Sequence, residues 1–92
     1  MDELKKKIIN KTDLHFFRYC EDTFGINRGV YNTIEQWFYK KDIFYVTERR
    51  LYIIDFLKYV FGSNKGYGKF GKGNLISKLH EFWIEKDKLN NS

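Results

Sequence analysis

Residues 47–62, TERRLYIIDFLKYVFG, form the most apolar segment of the chain. Thr47 offers an N-cap and Gly62 a stop, so the segment predicts one helix. A helix that is apolar on most of its sides belongs in the centre of a helical domain. This one qualifies, because its apolar side chains cover most of the circumference: Leu51, Ile53, Ile54, Phe56, Leu57, Val60 and Phe61.

Two helices are predicted on the N-terminal side of this segment by the spacing of their apolar residues. The first spans roughly residues 2–10. The second begins with Thr12 as its N-cap, ends at Gly25, and presents an aromatic stripe that includes Phe17 and Phe24.

A third helix carries Val30, Ile34, Trp37 and Phe38 at helical spacing, and starts either after Asn27 or at the pair Asn32 and Glu35. A last helix begins near Asn74, and its apolar positions recur on one face: Leu75, Ile76, Leu79, Phe82 and Trp83.

Eighteen aromatic residues (nine Phe, seven Tyr and two Trp) supply large side chains for the core of a 92-residue chain. We therefore expect an all-α fold: a single domain over residues 1–92, with four or five helices around an aromatic core. Residues 43–46 are compatible with one short strand or with an extended connection, and residues 62–73 with a glycine- and lysine-rich loop.

The net charge of +5 is concentrated in the second half of the chain. Residues 1–46 hold eight basic and seven acidic side chains, whereas residues 47–92 hold nine and five. No acidic residue lies between Asp55 and Glu81. An acidic partner is therefore expected at this interval, which contains the glycine-rich loop.

The loop, GSNKGYGKFGKG over residues 62–73, matches two nucleotide-binding patterns only superficially. Gly73 stands where the G-x-x-x-x-G-K-[ST] motif needs a hydroxyl for magnesium, and no strand precedes the G-x-G-x-x-G match. Glycines and lysines before a helix start nevertheless suit a nucleic-acid backbone, with aromatic rings for stacking or wedging. The predicted contacts are Lys65, Lys69, Lys72, Lys78, Tyr67 and Phe70; the alternative is a plain connector.

Two arginines, Arg49 and Arg50, lie in the first turn of the central helix, where the helix dipole disfavours cations. We predict that they contact an anion and include them among the nucleic-acid-binding residues. The alternative is that they pair with Asp42 or Glu48. Asp55, within the same helix, is expected to pair with Lys58 or with an arginine from elsewhere.

Residues 14–34 allow a helix-turn-helix interpretation, with the turn at residues 25–27. The side chains expected to face the major groove are Arg28, Tyr31, Asn32 and Gln36. Glu21 and Val30 fit the motif poorly, so two ordinary packed helices are the favoured interpretation.

Catalytic signals are weak, so no enzymatic activity, cofactor or metal is predicted. A metal site or nucleophile pair from Cys20, His15 and His80 would require the fold to bring them together. No signal peptide or membrane-spanning run is present, so a cytoplasmic protein without a membrane partner is expected, in the host cytoplasm if it is viral. The absence of Ala and Pro indicates AT-rich codons, typical of low-GC bacteria and their phages.

The leading functional hypothesis is a small, basic, non-enzymatic protein that binds a DNA or RNA backbone and is encoded by a phage or mobile element. The alternative is a protein-binding inhibitor of a host nucleic-acid-processing enzyme or ribonucleoprotein, such as an anti-CRISPR-type inhibitor of a defence nuclease. A third hypothesis is self-association through exposed aromatic residues such as Tyr39, Tyr45 or Tyr52.

Overall fold

A computed structural model describes residues 8–61 and 72–91. All of the regular secondary structure in these residues is helical, which confirms the all-α prediction. Most of the predicted first helix and most of the predicted loop at residues 62–73 lie outside the described residues. The four helices are α1 (Asp13–Phe24), α2 (Arg28–Lys40), α3 (Val46–Phe61) and α4 (Lys72–Asn91).

The predicted helix boundaries around α1 and α2 are confirmed by their capping geometry. The Thr12 hydroxyl accepts a hydrogen bond from the backbone N–H of His15, and Gly25 closes α1 in the left-handed conformation at φ 69°. The Asn27 side chain accepts from the N–H of Val30 at 2.9 Å. Asn27, rather than the Asn32 and Glu35 pair, is therefore the N-cap of α2.

Of the two alternatives for residues 43–46, a short strand or an extended connection, the strand is not formed in the part of the chain that the structure describes. Residues 43–45 form an irregular connection, and α3 already begins at Val46, one residue before the predicted cap at Thr47. An extended segment becomes a strand only by pairing with another one, and the described part of the chain provides none. The N–H of Ile43 instead donates to the carbonyl of Phe38, and its side chain is buried.

The core is aromatic, as predicted, and Phe38 of α2 lies at its centre. Its fully buried ring lies within 6.4 Å, between centroids, of rings from α3 and α4, including those of Tyr52, Phe56 and Phe82. Such ring pairs contribute about 0.5–1.5 kcal/mol each beyond the burial of their area. The central position predicted for α3 is shared with α2, because each of the two contacts all of the other helices described.

Helices α3 and α4 are also joined by an ion pair at the edge of the core. The Nζ of Lys86 lies 3.2 Å from the carboxylate of Asp55, so a lysine of α4 fills the role predicted for Lys58 or an arginine. Among the described residues, no helix is both long and apolar enough to cross a membrane.

Arg50 fastens the segment before α1 to the start of α3. Its side chain is buried, and its guanidinium donates to the carbonyls of Ile9 and Lys11 at 3.0 and 2.6 Å and to the carboxylate of Asp13. The guanidinium also lies 5.0 Å from the centroid of the Phe16 ring. The position of this arginine in the first turn is thus explained by acceptors within the protein itself.

We predict that Arg50→Met lowers the free energy of unfolding by about 2–4 kcal/mol, because the buried carbonyl of Ile9 and the partly buried carbonyl of Lys11 lose their donor. The Asp13 carboxylate is 89% exposed, so Asp13→Asn is expected to cost less than about 1 kcal/mol. Urea unfolding followed by circular dichroism compares the two variants. Equal losses of unfolding free energy in the two variants would show that the ion pair with Asp13, and not the contacts with the carbonyls, accounts for the stabilisation by Arg50.

Candidate nucleic-acid interface

Most of the contacts predicted for the loop stay predictions. Lys65, Tyr67, Lys69 and Phe70 lie outside the described residues, and Lys72 is the first residue of α4, with no described side chain.

Lys78 of α4 is half-buried, with its Nζ 3.4 Å from the carboxylate of Glu81. Glu81 also accepts from the hydroxyl of Tyr59 at 2.8 Å. The Tyr59 hydrogen bond, followed by the contact with Lys78, holds the pKa of Glu81 below its usual value. The charge of Lys78 is therefore partly offset by a carboxylate within the protein.

Arg49 is partly exposed at the start of α3, beside the C-terminal half of α2. Its guanidinium donates to the carbonyls of Ile43 and Phe44 at 2.9 and 3.1 Å. It also lies 5.5 Å from the centroid of the Tyr39 ring. These contacts hold a cation next to an aromatic side chain that is itself exposed.

The outward face of α2 carries three exposed polar side chains: Asn32, Gln36 and Lys40. They are spaced by four residues, so they lie one above the other along the helix. Together with Thr33, Trp37 and Ile76 they line a groove of about 310 Å³. The groove therefore lies between α2 and the first turns of α4.

Trp37, which lines this groove from α2, packs against aromatic rings of α4. The ring of Trp37 makes edge-on contacts with His80 and Trp83, at centroid distances of 5.4 and 5.8 Å. The Nζ of Lys41 lies 5.0 Å from the centroid of Trp37 and 5.8 Å from that of Trp83. A second cation is thus held against aromatic rings at the C-terminal end of α2.

A second groove, of about 490 Å³, lies on the other side of the same helix face. It is lined by Glu35, Gln36, Tyr39, Lys40 and Arg49. Gln36 and Lys40 line both grooves, so the two form one continuous surface. We call this the α2 surface and define it by Asn32, Gln36, Trp37, Tyr39, Lys40, Arg49 and Ile76.

The α2 surface is positively charged. Lys40 and Arg49 line it together with one acid, Glu35, and the oppositely charged neighbours Lys41 and Asp42 adjoin it. The Glu35 carboxylate accepts a hydrogen bond from the hydroxyl of Tyr31, whose pKa is raised first by burial and then by this carboxylate. The Glu35 carboxylate is therefore hydrogen-bonded within the protein. The cations of the surface outnumber this one acid and favour an anionic ligand.

Only part of the predicted helix-turn-helix face is available to a ligand. The turn at residues 25–27 separates α1 from α2, and Asn32 and Gln36 are exposed as predicted. Tyr31 is buried, so its predicted role in groove contacts is wrong. Arg28 is exposed, with its guanidinium 4.6 Å from the centroid of the Phe17 ring.

The sequence prediction missed Trp37, Tyr39, Lys40 and Lys41, although a signal for Lys40 was present. Asn32, Gln36 and Lys40 recur at i, i+4 and i+8, on the side of the helix opposite to the apolar positions. The roles of Trp37 and Tyr39 could not be found in the same way, because an aromatic residue beside a helical stripe is usually part of the core.

The candidate nucleophile and metal ligands are not brought together. Cys20 is fully buried, His15 is exposed with its Nδ1 3.0 Å from the Thr12 hydroxyl oxygen, and His80 is exposed next to Trp37. In residues 8–61 and 72–91, no three His, Cys, Asp or Glu side chains are grouped so that they could hold a metal ion.

Comparison with known proteins gives one informative similarity. The chain is 37% identical, over 94 aligned residues, to the RNA-binding riboflavin kinase RibR of Bacillus subtilis (strain 168). The alignment covers 95% of this chain but only 41% of RibR. No protein-family model matches the chain, and no solved structure matches it.

We predict that Cys20 is unreactive in the folded protein, because burial raises the pKa of its thiol to about 12. An unfolded thiol ionises near pH 8.5, so this group stabilises the fold fully below that pH. Its contribution is lost as the pH rises from there through the folded pKa. Modification by a thiol-specific disulfide reagent should follow unfolding in urea; rapid modification of the folded protein would contradict this prediction.

Proposed function

We propose that this chain is an RNA-binding module that contacts RNA through the α2 surface. The observation that carries the proposal is the combination of cations, amide side chains and aromatic rings on one surface, to which α2, α3 and α4 all contribute. The similarity to a relative named for RNA binding supports RNA over DNA as the ligand.

Phosphate groups are the expected ligands of the cations on this surface. Lys40 is exposed and provides three donors on a flexible stem, whereas Arg49 is held in place by its two carbonyl contacts. Lys41 adds charge beside Trp37. Such contacts supply affinity that falls as salt rises and that depends little on base sequence.

Base edges are the expected ligands of the two amides. Asn32 and Gln36 each offer donors and an acceptor, and they lie about 6 Å apart along the helix axis. Both are exposed in the groove that Trp37 and Ile76 complete. The arrangement supports recognition of the RNA in addition to attraction of its backbone.

The predicted loop contacts belong to the same proposal. Lys72 is the first residue of α4 and lies one turn before Ile76, which lines the groove. Lys65, Lys69 and Lys72, with Tyr67 and Phe70, are therefore proposed as a second set of contacts to the same RNA.

We also propose that the chain binds without catalysing a reaction. RibR is named for both RNA binding and riboflavin kinase activity, and this chain spans 41% of its length. The cation-rich helix face supports assignment of the RNA-binding part to this segment. A phage origin, a cytoplasmic location and inhibition of a host enzyme stay predictions of the sequence.

We predict that Lys40→Glu combined with Gln36→Ala weakens RNA binding about tenfold or more at low salt, because one phosphate contact becomes repulsive and one base contact is lost. The measurement is a fluorescence-anisotropy titration of labelled random-sequence RNA at two salt concentrations, with single-stranded and duplex DNA beside it.

Lys58→Glu is the matched control for this titration. Lys58 is exposed on α3, and its nine-residue separation from Arg49 places it about two and a half turns away, on the opposite side of the helix. A second pair of variants tests the loop: alanine at Lys65, Lys69 and Lys72 should weaken binding, whereas alanine at Lys5, Lys6 and Lys7 removes the same charge from another part of the sequence. Equal losses in each variant and its control would refute a defined site, and no RNA binding by the parent would refute the function.

A further inference from the structure

Three aromatic side chains near the bend between α2 and α3 are unusually exposed. Tyr45 is 78% exposed, Phe44 56% and Tyr39 54%. We call this set the aromatic ledge. Tyr52, which the third hypothesis grouped with Tyr39 and Tyr45 as exposed, is half-buried against Phe38 and Trp83.

The backbone that presents the ledge is held by several contacts. The N–H groups of Lys41 and Asp42 donate to the carbonyls of Phe38 and Tyr39, and Asp42 takes a left-handed conformation at φ 68°. Ile43 is buried and anchors the bend to the core. The exposed rings of Phe44 and Tyr45, which follow Ile43, therefore extend from a turn whose backbone is fixed by hydrogen bonds and by burial of Ile43.

Arg49 fixes the far side of the same bend. Its guanidinium donates to the carbonyls of Ile43 and Phe44 and lies near the ring of Tyr39. The rings of Tyr39 and Phe44 contact each other edge to face, with centroids 5.1 Å apart and an interplanar angle of 73°. Arg49 thus places a positive charge beside the Tyr39 ring and holds the backbone carbonyl of Phe44, whose ring contacts that of Tyr39.

The chemistry of this site favours nucleobases over an apolar protein surface. Tyr39 also lines the groove that contains Lys40 and Arg49, so the ledge and the cations of the α2 surface adjoin each other. Aromatic rings next to cations match a strand whose bases stack while its phosphates pair with the positive charges. Bases in a duplex are already stacked, whereas bases in loops, bulges and single strands can turn onto a protein ring.

We infer that the aromatic ledge is a stacking site for unpaired RNA bases, so that the RNA bound by this chain is single-stranded or carries an unpaired loop. The inference rests on the proposed function and restricts the RNA ligand to one that has unpaired bases. Tyr39 links the two parts of the site, because it belongs both to the ledge and to the α2 surface.

The test compares a mixed-sequence single-stranded RNA that carries 2-aminopurine with the duplex that it forms with its complement. Phe44→Ala with Tyr45→Ala should weaken binding of the single strand about tenfold or more and of the duplex less than about twofold. Binding to the parent should also quench 2-aminopurine fluorescence, and the double variant should lose this quenching.

Three matched variants separate the loss of stacking from other causes of weaker RNA binding. Phe44→Leu with Tyr45→Leu keeps the apolar surface without rings and should behave like the alanine variant. Phe44→Tyr with Tyr45→Phe keeps both rings and should bind like the parent. Leu14→Ala with Ile84→Ala removes exposed apolar side chains from α1 and α4 and should leave binding unchanged. Thermal melts confirm that each variant is folded.

The outcomes distinguish the inference from the function on which it rests. Equal binding of duplex and single strand, with no effect of the ledge variants, overturns the stacking site and leaves RNA binding in place. Retained binding by the leucine variant, or loss of a dimer in the alanine variant with RNA binding intact, also overturns it. If the parent binds neither RNA, both proposals fail.

Discussion

The ring of Phe38 is the contact on which the arrangement of the domain depends. It is fully buried between α2, α3 and α4, and rings from both of the other helices surround it. Because Ile34 and Phe38 point inward, the side chains of Asn32, Gln36 and Lys40 point outward. The core therefore selects the face of α2 that meets solvent, and with it the candidate interface.

The bend after α2 follows from the same packing. Phe38 supplies the carbonyl that receives the N–H groups of Lys41 and Ile43, and burial of Ile43 turns the following residues outward. The aromatic ledge and the α2 surface thus depend on one helix end, and both face Arg49. A cation with fixed backbone partners in this position gives a preformed site, in which little side-chain freedom has to be lost when RNA binds.

The sequence predicted the helices well because their ends depend on local chemistry. Thr12, Gly25 and Asn27 are capping residues whose preference does not depend on the rest of the fold. The secondary structure of residues 43–46 was harder to predict, because their β-favouring composition does not show whether a partner strand exists.

The site was less predictable than the fold. Arg50 was expected to meet an external anion, yet the structure gives it acceptors that lie 37 to 41 residues away in the sequence. Contacts over such separations leave no periodic pattern in the sequence. The α2 surface likewise combines residues of α2, α3 and α4, so only its helical part, Asn32, Gln36 and Lys40, could be recognised from spacing.

The central claim is that RNA binds to one continuous surface formed by the outward face of α2 and the bend that follows it. The most direct measurement is an NMR titration of the ¹⁵N-labelled protein with single-stranded RNA, which reports on every backbone amide at once. We expect the largest chemical-shift changes within residues 32–45 and at Arg49, further changes within residues 65–72, and small changes at Lys58 and along the exposed face of α1. Changes concentrated at residues 78–88, or none at residues 32–45, would contradict the account.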